Sequence, residues 1–341
     1  MTEFIDNIGH LNKDDIINLL ENFTRDDALY AQKKARKITD EIYGRKVYIR
    51  GLIEISNICK NNCYYCGIRC GNKNALRYRL DEKEILLSCE NGYALGFRTF
   101  VLQGGEDGYF TDEKLVPIIS KIKNSYPDCA LTLSLGERSE ESYIALKNAG
   151  ADRYLLRHET ATKAHYEKLH PEDMSFENRM KCLENLKKIG YQTGCGMMVG
   201  SPFQTSENLA DDLLFIRSFS PEMVGMGPFI PHIDTPFKNE KAGSVDLTCF
   251  LLSLVRIMLP KVLLPSTTAL GAIDETGRVK GLNCGANVIM PNLTPAFGRE
   301  KYNLYNNKTT VKNDTGEELE KIKQELSLHN YEIVTDRGDA K

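Results

Sequence analysis

From Val47 onward the chain alternates between short apolar runs of strand length and longer amphipathic stretches of helical length, with polar loops between them. This alternation constrains the fold more than any single motif, because parallel strands need a crossover and a helix supplies it. Eight runs read as strands: Val47–Ser56, Thr99–Gly104, Ala130–Leu135, Arg153–His158, Gln192–Val199, Met223–Phe229, Val262–Ala269 and Asn287–Pro291. Eight strands, each followed by a helix, close on themselves, so the expected class is α/β, a TIM-type (β/α)8 barrel. Punctuation supports the helices between them. Asp81 with Glu84 three residues on has the form of a capping box, Ser175 and Thr205 stand where caps belong, and Gly150 and Gly190 sit where helices stop.

The barrel is expected over residues 46–300. Ahead of it, residues 1–45 read as a helical segment, with Ile16, Leu19 and Leu20 at helical spacing and Asp26–Tyr43 continuing; this segment is expected to cap one end of the barrel. Residues 301–341 read as a C-terminal appendage: Asn303–Asn313 is rich in Asn, Lys and Thr, and a helical run follows from Glu317 to Leu328. A chain of 341 residues accommodates one such barrel with terminal additions.

Lys plus Arg number 44 against 47 Asp plus Glu, and no block of like charge is long enough to suggest a nucleic-acid tail. Met1–His10 carries Glu3 and Asp6 and lacks the order of a signal peptide; the most apolar stretch, Phe250–Ala272, is broken by Arg256, Pro260, Lys261 and Pro265. A cytosolic protein with neither membrane nor nucleic-acid partner is expected. Three of the ten cysteines fall within eight residues while the rest are scattered, which suits a metal centre in a reducing compartment better than a disulfide framework.

Those three, Cys59, Cys63 and Cys66, follow the first strand directly and so belong to the C-terminal face of the barrel, where barrel enzymes work. Three thiolates on a four-iron cubane leave one iron open to a small molecule, whereas electron-transfer clusters take four. The plainer reading is a structural zinc knuckle with Cys70 as fourth ligand, but closed zinc sites pair two couples from separate segments, and four cysteines in one twelve-residue loop fit that poorly. At the end of the second strand, Gly104 and Gly105 in Gln103–Asp107 allow close backbone approach to a ligand, although a turn needing positive φ explains them nearly as well. Arg153 and Arg157 alternate with apolar residues, share one strand face and suit an anionic ligand inside the barrel; ion pairing with Glu106, Glu137 or Glu159 is the competing expectation. Met197, Met198 and Met290 suit an adenine face, though methionine is more often core. His158, His170 and His232 are dispersed and give no metal signal.

The spacing C-x3-C-x2-C, with aromatic Tyr65 before the last cysteine, resembles the signature of the radical S-adenosylmethionine (SAM) superfamily. The resemblance implies one 4Fe-4S cluster on Cys59, Cys63 and Cys66, with SAM on the open iron cleaved to a 5′-deoxyadenosyl radical. It assigns Tyr65, Gly104, Gly105 and Glu106 to the cofactor. Across about Val47 to Tyr305 the chain is similar to the HydE family of FeFe-hydrogenase maturases, through Asn72–Asn74, Arg77–Arg79, Val101–Asp107, Leu131–Glu137, Asp152–Thr160, Phe176–Arg179, Gly225–Pro231, Pro265–Leu270, Gly285–Asn292, Tyr302 and Tyr305. That similarity implies SAM contacts from Ser134, Glu159, Arg179, Met198 and Met290, and a substrate cavity lined by Thr132, Arg153, Arg157, Thr267, Thr268, Tyr302 and Tyr305. It further implies radical processing of a cysteine-bound Fe(CO)2(CN) precursor of the di-iron subcluster, transient contact with the maturases HydG and HydF, and an electron donor such as ferredoxin or flavodoxin.

Some relatives carry a second cluster on C-terminal cysteines, but none follows Cys284 here, so one cluster is expected. The nearest alternatives are a methylornithine-synthase-like enzyme acting on an amino acid and a biotin-synthase-like enzyme with a second cluster, for which Cys195 and Cys129 are the available ligands. A zinc-bearing docking scaffold without catalysis is the alternative of a different class.

Overall fold

The computed structural model describes residues 1–306, 308 and 315–341, so part of the polar stretch Asn303–Asn313 lies outside the described residues. Three helices, α1 (Thr2–Asp6), α2 (Lys13–Asn22) and α3 (Arg25–Tyr43), lead into β1 (Lys46–Ile49) and β2 (Gly51–Ser56). There follow α4 (Glu82–Ala94), β3 (Thr99–Gly104), α5 (Asp112–Ser125), β4 (Ala130–Ser134), α6 (Glu140–Asn148), β5 (Arg153–Leu155), α7 (Lys163–Leu169), α8 (Phe176–Ile189), β6 (Gln192–Val199), α9 (Ser206–Phe219) and β7 (Met223–Pro228). The remainder is α10 (Val245–Met258), α11 (Thr268–Ile273), α12 (Gly277–Asn283), β8 (Val288–Ile289), α13 (Ala296–Arg299), α14 (Thr315–Ser327) and β9 (Glu332–Val334). The capping box at Asp81 and Glu84, the Ser175 and Thr205 caps and the left-handed Gly190 stop all form.

Strands β2 to β7 pair in parallel in chain order, and β8 and β9 flank β1, also in parallel. Single bridges Leu52–Asn292, Met223–Leu263 and Pro265–Val288 carry the ring across the remaining gap, which makes the sheet a closed α/β barrel. Three expectations need correction here. The first run splits at Arg50, because its lower half pairs with β8 and β9 while its upper half turns to β3. Val262–Ala269 makes isolated bridges only: Pro265 has no N–H to donate and Thr268 already starts α11. The eighth strand shrinks to Val288–Ile289.

The N-terminal helices pack chiefly along the outer side of the barrel. Ten of the fourteen residues of α10 are buried, so it needs an apolar partner on its outer side as well as the barrel within, and α3 supplies it. Phe23 stacks on Phe250 at 4.1 Å, and α2 lies along α9 with Lys13 on Asp211 at 2.7 Å. The C-terminal segment reaches the barrel floor. Beyond β9 the tail crosses beneath the strands, where Thr99 Oγ1 donates to Arg337 O at 2.7 Å and Arg153 contacts Asp339 at 2.6 Å.

Alternate residues of each strand face the lumen, and cross-barrel contacts such as Arg50 Nη1 to Met223 Sδ at 2.9 Å identify which. On β6 and β7 the lumen positions include Gly194, Gly225 and Gly227, so these strands do not fill the centre with the bulky layers usual in such barrels. Space is left beneath the mouth.

Candidate active site

The segment from Asn57 to Leu80 has no regular secondary structure, so its carbonyls need other partners. Arg77 serves four: Nη1 donates to Asn57 O (2.6 Å) and Ile68 O (2.8 Å), and Nη2 to Arg69 O (2.6 Å) and Asn72 O (3.1 Å). The loop so braced carries Cys59, Cys63 and Cys66, all half-buried and unpaired, whereas Cys70 is exposed. Burial pushes the Cys59 and Cys63 thiols up, and that of Cys66 up to about 12, with neighbouring thiols adding to the effect at Cys63 and Cys66. Thiols in such surroundings lose their protons to a metal centre rather than to water. Among the described residues no three His, Cys, Asp or Glu side chains converge on a point that a single metal ion would fill. Three half-buried thiols on one loop, with Cys70 exposed, suit three corners of a cubane better than a closed zinc site, which takes four ligands.

The loop rests on the Gly104–Gly105–Glu106 turn. A Cβ on Gly105 would come within 2.3 Å of Ile58 O and 2.7 Å of the Cys59 Cβ, so glycine is required there by the approach of the cysteine loop itself. The Glu106 N–H donates to Cys59 Sγ at 3.3 Å, while its carboxylate accepts from Glu137 N at 3.0 Å. Asp107 binds Arg79 through two contacts of 2.7 and 2.9 Å and accepts from Ser56 Oγ at 2.6 Å, tying the turn to the strand that launches the loop.

Beside this turn, Arg157 and Glu159 leave the end of β5. They form an ion pair at 3.2 Å between Arg157 Nη2 and Glu159 Oε2 whose geometry is too oblique for a hydrogen bond, so these two atoms and Arg157 Nε are buried without a hydrogen bond. Arg179 on α8 reaches Glu137 at 2.5 Å and donates to Arg157 O at 2.8 Å. Burial alone would lower its pKa, but Tyr166, Glu137, Tyr65 and Glu106 together raise it. Tyr65 places its hydroxyl 3.1 Å from His170 Nε2, whose Nδ1 lies 2.9 Å from Tyr166 O; burial holds His170 near 3, hence neutral. Met198 packs with Leu169, Phe229, Phe237, Tyr64 and Tyr65 under the cysteine loop, and Ser134 ends β4 alongside.

Deeper in the lumen, Thr132 Oγ1 and Thr267 Oγ1 are buried and unpartnered. Exposed Thr268 and half-buried Tyr305 share a hydrogen bond of 2.9 Å outside this buried layer, while buried Tyr302 lies 3.4 Å from Gln103 Nε2. Burial raises the pKa of both tyrosines, so each remains a neutral donor. Two predicted residues stand apart from this group. Arg153 is a correction: it shares the strand face of Arg157 but lies at the other end, roughly 13 Å away along the strand. There, with no exposure, it is used up by Thr99 (3.1 Å), Gln192 (3.1 Å), Arg337 O (2.8 Å) and Asp339 (2.6 Å). Met290 packs on the lower layer of Tyr48, Met223, Leu263 and Val288.

Sequence reasoning missed Glu54, a wholly buried carboxylate that accepts from Asn292 Nδ2 at 3.0 Å and pairs with Lys308, whose amine lies 4.5 Å over the Tyr302 ring. Its signal was a charged residue at an inward position of an otherwise apolar strand. It also gave His158 and His170 no part. Cys195 sits between inward-facing glycines and packs with the outer helical core, and Cys129 lies before β4 at the floor, so neither is placed to hold a second cluster in the lumen.

The Radical SAM superfamily matches residues 53–216. The chain is 50% identical over 279 residues to the [FeFe] hydrogenase maturase subunit HydE of Thermotoga maritima, covering 81% of this chain and 79% of that one. It is 29% identical over 297 residues to the 3-methylornithine synthase of Methanosarcina acetivorans, covering 84% and 83%. The solved structure of methylornithine synthase (PylB) superposes with a TM-score of 0.85 at 25% identity, covering 98% of this chain and 97% of that one.

Proposed function

The chain belongs to the radical SAM superfamily and, within it, to the family of the hydrogenase maturase HydE; from that membership we propose that it processes a cysteine-bound Fe(CO)2(CN) precursor of the di-iron subcluster. The family uses a 4Fe-4S cluster and SAM. In this reading Cys59, Cys63 and Cys66 would hold one cluster, which once reduced would supply the electron for cleavage of SAM to methionine and a 5′-deoxyadenosyl radical. The observation that carries it is the set of buried polar atoms without a hydrogen bond on Arg157, Glu159, Thr132 and Thr267 beneath the cysteine loop. Polar groups left this way inside a protein cost free energy unless a ligand completes them.

The division of labour follows from position. Glu106 steadies the turn beneath Cys59, Tyr65 and Met198 offer apolar faces below the loop, and Glu159 presents a carboxylate oxygen suited to the charged amino group of SAM. Ser134 and Arg179 sit at the same level. Arg157 offers two guanidinium nitrogens to an anionic group, while Thr132, Thr267, Thr268, Tyr302 and Tyr305 offer hydroxyls to cyanide, carbonyl or carboxylate acceptors of the substrate. The glycines of β6 and β7 leave it room. Arg153 is left out of the substrate wall in this reading, as is Met290, which packs on the lower layer.

No helix among the described residues is long and apolar enough to cross a membrane. A cytosolic setting, with transient contact to HydG and HydF and an electron donor such as ferredoxin or flavodoxin, belongs to the same reading, supported by ten unpaired cysteines. The test is anaerobic reconstitution, reduction, and electron paramagnetic resonance with and without SAM, alongside release of 5′-deoxyadenosine given the iron synthon or a free amino acid. A signal that shifts with SAM, and release stimulated by the synthon alone, is expected. Stimulation by an amino acid alone would move the chain to a methylornithine-type reaction, and a colourless, zinc-loaded protein would overturn the enzyme reading.

A further inference from the structure

Glu159 has φ +65°, in the left-handed region that L side chains rarely adopt. Such strain persists where the surroundings over-determine it, and here a single carboxylate acts on both sides of the residue. Asp212, on α9 and fully buried, accepts from Ala161 N at 2.5 Å and lies 3.3 Å from His158 Nε2, an electrostatic contact too oblique for a hydrogen bond. His158 is equally buried, and its Nδ1 accepts from Gly196 N at 3.2 Å, which leaves the imidazole proton on Nε2, facing Asp212. The Glu159 N–H donates to Gly196 O at 3.0 Å. Residue 161 is therefore held by a hydrogen bond from behind and residue 158 by the Gly196 amide and the Asp212 contact, and the chain between them turns Glu159 forward into the mouth.

We propose that Asp212 is a positioning residue: through His158 and the Ala161 N–H it holds Glu159 in the orientation that contacts SAM. The inference rests on the reading above that Glu159 is a SAM contact. Burying a carboxylate against an imidazole carries a desolvation penalty that an apolar pair would avoid, so stability alone gives little reason for the arrangement. Holding one side chain in a strained orientation at a binding site does give one.

The test is a SAM titration of the reduced, reconstituted protein followed by the paramagnetic resonance shift, in wild type, D212A, D212N, E159A and the double variant E159A/D212A. In D212A the SAM concentration for half-maximal shift rises roughly tenfold, with iron content and the SAM-free spectrum unchanged. D212N keeps an acceptor for Ala161 N and recovers most of the affinity. In the E159A background, adding D212A changes nothing further. Should D212A fail to fold, H158N carries the same expectation, since it keeps an acceptor for Gly196 N and loses the reach to Asp212. Unchanged half-saturation in D212A and H158N, or an equal loss with and without Glu159, overturns the proposal; a wild-type spectrum indifferent to SAM overturns both it and the reading on which it rests.

Discussion

Individual side chains at the mouth divide by what they touch, and each division can be measured. Replacing Cys59, Cys63 or Cys66 by Ala removes a half-buried thiol from the braced loop, and cluster iron and its reduced-state resonance should be lost. Cys70→Ala removes an exposed thiol and should leave both intact; loss of the signal there would restore the four-cysteine reading. Arg157→Ala should leave the SAM-induced spectral shift in place while lowering synthon-dependent turnover on the order of a hundredfold, because its guanidinium, ion-paired to Glu159, keeps Nε and Nη2 buried without a hydrogen bond. Parallel loss of both readouts would place Arg157 on SAM instead. The three cysteines were legible because their spacing is covalent and local. The exchange of partners among Arg153, Arg157, Arg179 and their carboxylates was not, because only the fold decides that Glu137 goes to Arg179 and Asp339 to Arg153.

At the scale of elements, the Gly104–Gly105 turn and the C-terminal tail each support one end of the barrel. Gly105→Ala forces a methyl group against Ile58 O and Cys59, so cluster loading should fall sharply, whereas Gly108→Ala, three residues on with open space around it, should load normally. Equal loading in the two variants would show that the cysteine loop does not depend on the turn. At the floor, burial alone would raise the Asp339 carboxyl, but Arg337 and Arg153 more than offset this and hold it far below the usual range. A carboxyl depressed on folding stabilises the tail above its unfolded value, about pH 4, and that contribution fades as pH falls below it. Protection of the amides of residues 335–341 against exchange, corrected for the intrinsic rate at each pH, should therefore fall on acidification, and Asp339→Asn should show the lower protection already at neutral pH. Of the eight strands, the second to the sixth formed where the sequence announced them, and the first split at Arg50. The seventh and eighth were harder to read because a short apolar run with proline in it looks the same whether it pairs along its length or only touches its neighbours.

For the molecule as a whole, the expected cofactor content is about four irons per chain, one cubane, since the cysteines outside the loop are scattered through core and floor. Iron and sulfide analysis giving about twice that amount would require ligands that this arrangement does not offer. The alternation of strand and helix made the closed barrel readable from sequence. What fills its floor was not, because nothing in the polar C-terminal sequence says that it returns beneath the strands. That return has a consequence for how the protein is made. In β1, Lys46 pairs with Glu332 and Tyr48 with both Val288 and Val334, so the first strand to leave the ribosome waits for some of the last. Until then the nascent barrel exposes an unpaired edge and an unsealed lumen carrying the Arg153 charge, and closure is an event of high contact order that comes late and slowly. Assembly of this chain should accordingly lean on chaperones at the stage when β2 to β7 are complete and β9 has yet to arrive.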